Sequence, residues 1–247
     1  MPVYSQLAGL LRENRPAALA TVVSGERIGS KILVAADGGV EGSIHPLLNE
    51  QIASDALSLL ASGRNELKAY EAEGERFDVF IESFPPPQRL VIIGGVHIAI
   101  PLHRLAKLLG YHVTVVDARG SLATPERFPQ ADSIMVEWPD DALASLGLDS
   151  GTSVVVLTHD PKFDYPALLA AIQSPARYIG AIGSRTTNEQ RTAALRDMGA
   201  TGEQLARIHA PVGLDIGAKT PAEIALAVMS EIVANRYGRH GGHLSGR

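Results

Sequence analysis

The chain of 247 residues is 45% hydrophobic and 20% charged, the make-up of a folded globular protein with a sizeable core. A formal net charge of −5 leaves no basic surplus to neutralise phosphates, so nucleic acid and anionic membranes are disfavoured as partners. The absence of cysteine excludes disulfides, thiolate metal sites and any sulfur relay through this chain's own residues.

The opening "MPVYSQLAGLLRENRPAALATV" has no basic region followed by an apolar core, so it does not read as a signal peptide. No apolar run approaches the roughly 20 residues that span a bilayer, and a cytoplasmic protein is expected. A short helix is predicted over residues 4–13, then a strand at "ALATVV". The stretch "KILVAADGGVEGSI" reads as a hairpin turning at Asp37-Gly38-Gly39. "LLNEQIASDALSLLAS" has helical spacing, and "ELKAYE" and "FDVFIE" read as two further strands. These make a small α+β domain over residues 1–84. Three prolines at positions 85–87 then continue neither a helix nor a central strand, which sets a Pro-rich linker at 85–88.

From 89 to 238 strands and helices alternate. "RLVII", "HVTVVD", "DSIMVE", "SVVVLTHD" and "RYIGAIG" are the predicted strands, and "IPLHRLAKLLG" is the first helix, closed at Gly110. Right-handed crossovers between such strands give a parallel sheet, and the near-continuous apolar "SVVVLT" fits a strand covered on both faces. The fold class expected is α/β, a Rossmann-like doubly wound parallel sheet behind the small α+β domain. Thr220-Pro221-Ala222-Glu223 is a capping box with proline at the first helical position, opening a last helix of about four turns that ends near Gly238. Residues 239–247 read as a frayed tail.

Ligands of open parallel sheets bind at the carboxyl ends of the strands, where strand order reverses. With the usual order the first and fourth strands flank that crevice, and here their tips carry Gly94-Gly95-Val96-His97 and Thr158-His159-Asp160. The fifth strand ends in Gly183-Ser184-Arg185 at a helix start, where N–H groups, a hydroxyl and a guanidinium suit an anion. In the dinucleotide fingerprint G-x-G-x-x-G/A, Gly94 meets the first position and Ala99 the third. Val96 stands where the second glycine lets a pyrophosphate approach, which disfavours NAD(P). Asp117, 23 residues beyond Gly94, has the usual place of a ribose-binding acid, and Arg119 beside it suits a phosphate instead. Each feature also has a plain structural reading: a tight glycine turn, a surface His97, an Asp160-Pro161 turn. No catalytic residue and no metal ligand set is assigned. An oxidoreductase using NAD(P), with His97 or His159 as proton donor, and a scaffold that binds no ligand are the alternatives.

The stretches "VVVLTHDPKFDYPAL", "YIGAIGSRTT" and "RIHAPVGLDIGAKTPAEIALAVMSEIVA" closely resemble the XdhC/CoxI family, accessory proteins of xanthine dehydrogenase and related molybdenum hydroxylases. The resemblance is strong over residues 88–235 and weaker in the first domain, through "GSKILVAADGGVEGSI". The family's Gly-Ala-Gly-His turn reads Gly94-Gly95-Val96-His97 here, and its Gly-Gly-Cys segment is replaced by Ser43-Ile44-His45-Pro46-Leu47-Leu48. What the resemblance implies is a carrier of the molybdenum cofactor (molybdopterin). Such a carrier shields the cofactor, presents it to a cysteine desulfurase for sulfuration, and passes it to the apo molybdenum hydroxylase. A homodimer is implied as well. The pterin would meet Asp117, Asp160 or Asp215, and its phosphate the helix starts and Arg185.

Overall fold

Apolar periodicity turns into regular elements along residues 3–246, the range that this computed structural model describes. By internal contacts the chain falls into two units, one ending at Pro86 and the next beginning at Pro87. In the first, α1 (Val3–Arg12), β1 (Ala17–Gly25), β2 (Lys31–Ala35), β3 (Val40–Gly42), α2 (Asn49–Ser62), β4 (Glu66–Ala72) and β5 (Glu75–Phe84) follow in order. The strands form an antiparallel sheet in the order β3-β2-β1-β5-β4. Both faces are covered, which is why Ala17, Ala18, Leu19 and Ala20 are all buried in succession. Ala18, Ala20 and Val22 pack with Ile52, Ala56 and Leu59 of α2, while Ala17 and Leu19 pack with Leu7 of α1. The β2–β3 turn falls at Asp37-Gly38-Gly39, with Gly38 at φ +88° and Asp37 Oδ1 accepting the Gly39 N–H.

The second unit runs β6 (Arg89–Ile93), α3 (Ala99–Leu108), β7 (His112–Val116), β8 (Ser133–Met135), α4 (Pro139–Ser145), β9 (Thr152–Val156), α5 (Pro161–Gln173), β10 (Tyr178–Ala181), α6 (Arg185–Asp197), α7 (Gly202–Leu205), β11 (Ile208–His209) and α8 (Pro221–Arg236). Its six strands are all parallel, ordered β8-β7-β6-β9-β10-β11, so the chain reverses direction across the sheet between β6 and β9. This is the doubly wound Rossmann order. Side chains alternate between two cores: Leu90, Ile92 and Val155 meet α3 and α8, and Val91, Ile93, Val154 and Val156 meet α4 and α5. The sixth strand, β11, adds to the five expected; at two residues it is too short to show periodicity. The Thr220 box forms as read, Thr220 Oγ1 accepting from Glu223 N and Glu223 Oε2 accepting from Thr220 N at 2.8 Å. After α8 the chain turns back, and Gly241, at φ +73°, packs against the Leu214 side chain.

Candidate functional site

The tips of β6, β7 and β9 are locked together by close packing. Gly94 has φ +103°, and a Cβ there would lie 2.6 Å from Thr158 Cγ2. A Cβ on Gly95 would run into the Leu122 carbonyl oxygen. Both glycines are therefore needed by the packing of the turn itself. Val96 is half-buried and packs onto the core beneath α3, while His97 is exposed on the same turn.

Helix α3 starts without a side-chain acceptor for its first N–H groups; the residue at its cap is Ile98. The helices after β9 and β10 differ. Asp160 caps α5, accepting from Lys162 N at 3.1 Å, and Ser184 caps α6, accepting from Thr187 N at 3.1 Å. Of these three helix starts, the one at the reversal point has no side-chain cap: Ala99 N donates to the Val96 carbonyl at 3.0 Å and Pro101 has no N–H, which leaves Ile100 with the uncapped amide of the first turn.

Asp117 is buried, and each carboxylate oxygen accepts two hydrogen bonds. Oδ1 takes Arg119 N and Nε, both at 2.9 Å; Oδ2 takes Gly95 N at 2.8 Å and Arg119 Nη2 at 2.9 Å. Burial pushes the Asp117 carboxyl up, but the bonds from Arg119 and Gly95 outweigh it and hold the group below the usual carboxylate range. In this geometry Asp117 positions the glycine turn and the guanidinium, and its lone pairs are already taken where ribose hydroxyls would bind.

Arg119 carries the site outward. Its guanidinium carbon lies 5.6 Å from the Phe163 ring centre, and Phe163 lies 5.2 Å from Trp138, which is 45% exposed. Lys162 Nζ is 5.2 Å from the Trp138 ring and 5.3 Å from Phe163. A contact path thus runs from Gly95 through Asp117 and Arg119 to an aromatic face bearing two cations. The charge of Asp160 is felt at Arg119 as well.

Thr158 is buried and donates its hydroxyl to Asp164 of α5. Asp164 also pairs with Arg191 of α6 at 3.0 Å, and Arg191 donates to the Ile182 carbonyl at 2.8 Å and to Asn188 Oδ1. Burial raises the Asp164 carboxyl, against the pull of Thr158 and Arg191. This network ties the β9 tip to the Gly183-Ser184 turn. His159 and Arg185 are exposed beside it, and Asp215 is exposed in the loop between β11 and α8, with no hydrogen bond joining it to the rest among the described residues.

Gly94, Gly95, Asp117, Arg119 and Thr158 therefore come together at the reversal point, with His97 on the same turn and Asp160 close by. Asp164, Asn188 and Arg191 were not legible beforehand, although polar residues on buried helix faces were the available signal. Trp138, Phe163 and Lys162 were missed too, because their stacking depends on α4 and α5 lying side by side. The set offers N–H donors, cations and an aromatic face, and its buried carboxylates are held by guanidiniums. Among the described residues no cluster of three His, Cys, Asp or Glu side chains is placed to hold a metal, and no helix is long and apolar enough to cross a membrane.

Comparison with known proteins gives this geometry relatives. The profile described as the XdhC Rossmann domain matches residues 90–232, and that of the XdhC and CoxI family matches 10–71. The uncharacterized protein YqeB of Escherichia coli is 30% identical over 98% of this chain, and a probable xanthine dehydrogenase subunit of Bacillus subtilis is 30% identical over 64% of it. The molybdenum cofactor insertion chaperone PaoD of E. coli is 27% identical over 83% of this chain. The chain spans only 48%, 46% and 62% of the lengths of these three relatives. A crystal structure of a xanthine dehydrogenase from Bacillus halodurans shares the fold with a TM-score of 0.55 over 97% of both chains, at 19% identity. With the Rossmann-domain match alone covering more than half of its residues, this chain belongs to the XdhC/CoxI family.

Proposed function

We propose that this protein carries the molybdenum cofactor during maturation of a xanthine-dehydrogenase-type molybdenum hydroxylase. The names of the B. subtilis and E. coli relatives support that role. The observation that carries it on this chain is the uncapped α3 start at the strand-order reversal, joined by contacts to the Arg119–Phe163–Trp138–Lys162 face. The cofactor is cargo here. Its phosphate would lie at the α3 start, at the Ile100 N–H beside His97, where the helix dipole favours an anion. Its planar pterin would rest against Trp138, with Arg119 and Lys162 at the ring edge. Gly94, Gly95, Asp117 and Thr158 shape the seat, and His159, Asp160, Gly183, Ser184, Arg185 and Asp215 are proposed as its outer contacts. An apo-hydroxylase would receive the cofactor, a cysteine desulfurase would supply the sulfur that a cysteine-free chain cannot relay, and the carrier would act as a homodimer.

The chain has a single tryptophan, so Trp138 reports on its own site. Adding molybdopterin to the purified protein should quench its fluorescence saturably, and His97→Ala and Lys162→Ala should each weaken binding by about tenfold, or ~1.4 kcal/mol. NADH should not displace the pterin. No saturable quenching, or quenching by NADH alone, rejects the carrier reading in favour of a dinucleotide site or of none.

A further inference from the structure

A second polar feature lies away from the reversal point, along the outer side of α6. There a cavity of about 550 Å³ is walled by Arg185, Asn188, Arg191 and Arg196 of α6, by Ile208 and Pro211 around β11, and by Leu205 of α7. Three guanidiniums meet one carboxylate, Glu189, on this wall. Among the described residues no acidic group lies within ion-pair distance of Arg185 or Arg196.

Two donors in the wall are also unsatisfied. Arg191 is 2% exposed and Asn188 9%, yet Arg191 Nε and Asn188 Nδ2 are buried without an acceptor. A buried donor left unpaired costs roughly 1–3 kcal/mol, so a fold that keeps two side by side gains if an acceptor arrives. The remaining donors of Arg191 are held by Asp164, Ile182 and Asn188 Oδ1, which fixes the guanidinium plane. The opposite wall, Leu205, Ile208 and Pro211, is apolar.

We infer that this cavity binds a small phosphate-bearing molecule, its phosphate held by Arg185, Arg191, Asn188 and Arg196 and its body lying on Leu205, Ile208 and Pro211. Guanidiniums suit phosphate because their planar fork presents paired donors. The volume lies within the range of small-molecule sites. Of the wall residues only Arg185 is also among the outer contacts proposed for the carried cofactor; none belongs to the α3 turn or the Trp138 face.

The 247-residue chain labelled on arginine, titrated with inorganic phosphate and with AMP, gives a site-specific readout through the Nε–H signals in NMR spectra. The signals of Arg185, Arg191 and Arg196 should move together and saturate, with AMP binding more tightly than phosphate. The double variant Arg185→Gln/Arg196→Gln, which changes exposed side chains, should weaken the Arg191 response at least tenfold. His97→Ala should leave it unchanged. A static Arg191 signal, an unweakened response in the double variant, or a response lost in His97→Ala overturns the site, and phosphate binding more tightly than AMP overturns the apolar seat.

Discussion

Asp117 stands where a ribose-binding acid is expected, and its two oxygens instead take four hydrogen bonds from Gly95 and Arg119. Its position was legible in the sequence; its occupancy depended on Arg119 folding back across two residues. Because the folded carboxyl sits below its ordinary value, its stabilising contribution is present above the unfolded pKa, near 4, and is lost as pH falls through the lower folded value. Urea denaturation between about pH 2 and 7 should therefore show an acid limb that Asp117→Asn flattens. Asp164 poses a different case, a carboxylate buried against a buried guanidinium. Asp164→Ala leaves Arg191 charged and without its partner, and should lower unfolding stability by about 3–5 kcal/mol in denaturant melts. An effect under about 1 kcal/mol would mean that water or another group replaces the carboxylate.

Among the elements, α8 was the easiest to read, since Thr220, Pro221 and Glu223 are all local signals and each acts within one turn. Thr220→Ala removes the acceptor for Glu223 N and should cost about 1 kcal/mol, seen as a drop of roughly 2–4 °C in Tm. The strand β11 was invisible for the converse reason. Two residues carry no period, and Ile208–His209 is a strand only because β10 lies alongside to receive its hydrogen bonds. The helix starts show the same divide. Asp160 and Ser184 were read as ligand contacts and also act as caps in this structure, whereas the uncapped start of α3 could be recognised only once the cap position was known to be Ile98.

At the scale of the whole molecule, each unit closes its own cores: α1 and α2 cover the antiparallel sheet, and α3, α4, α5, α6 and α8 cover the parallel one. Among the described residues each core cluster is built from one unit. Residues 87–247 expressed alone should therefore fold cooperatively, giving a single sharp thermal transition and the circular dichroism of an α/β sheet. A broad, non-cooperative melt would show that the second unit needs the first. The sequence by itself determined the two-part plan, the parallel α/β class, the glycine turn at Gly94-Gly95 and the family, because periodicity, turn chemistry and long motifs are written in consecutive residues. Only tertiary structure decided that Asp117 is taken by Arg119, that Trp138 and Phe163 make a face, and that Arg191 meets Asp164. Apart from the Asp117–Arg119 pair, those partners lie far apart along the chain, and it is the sheet order and the packing of helices on it that bring them within reach.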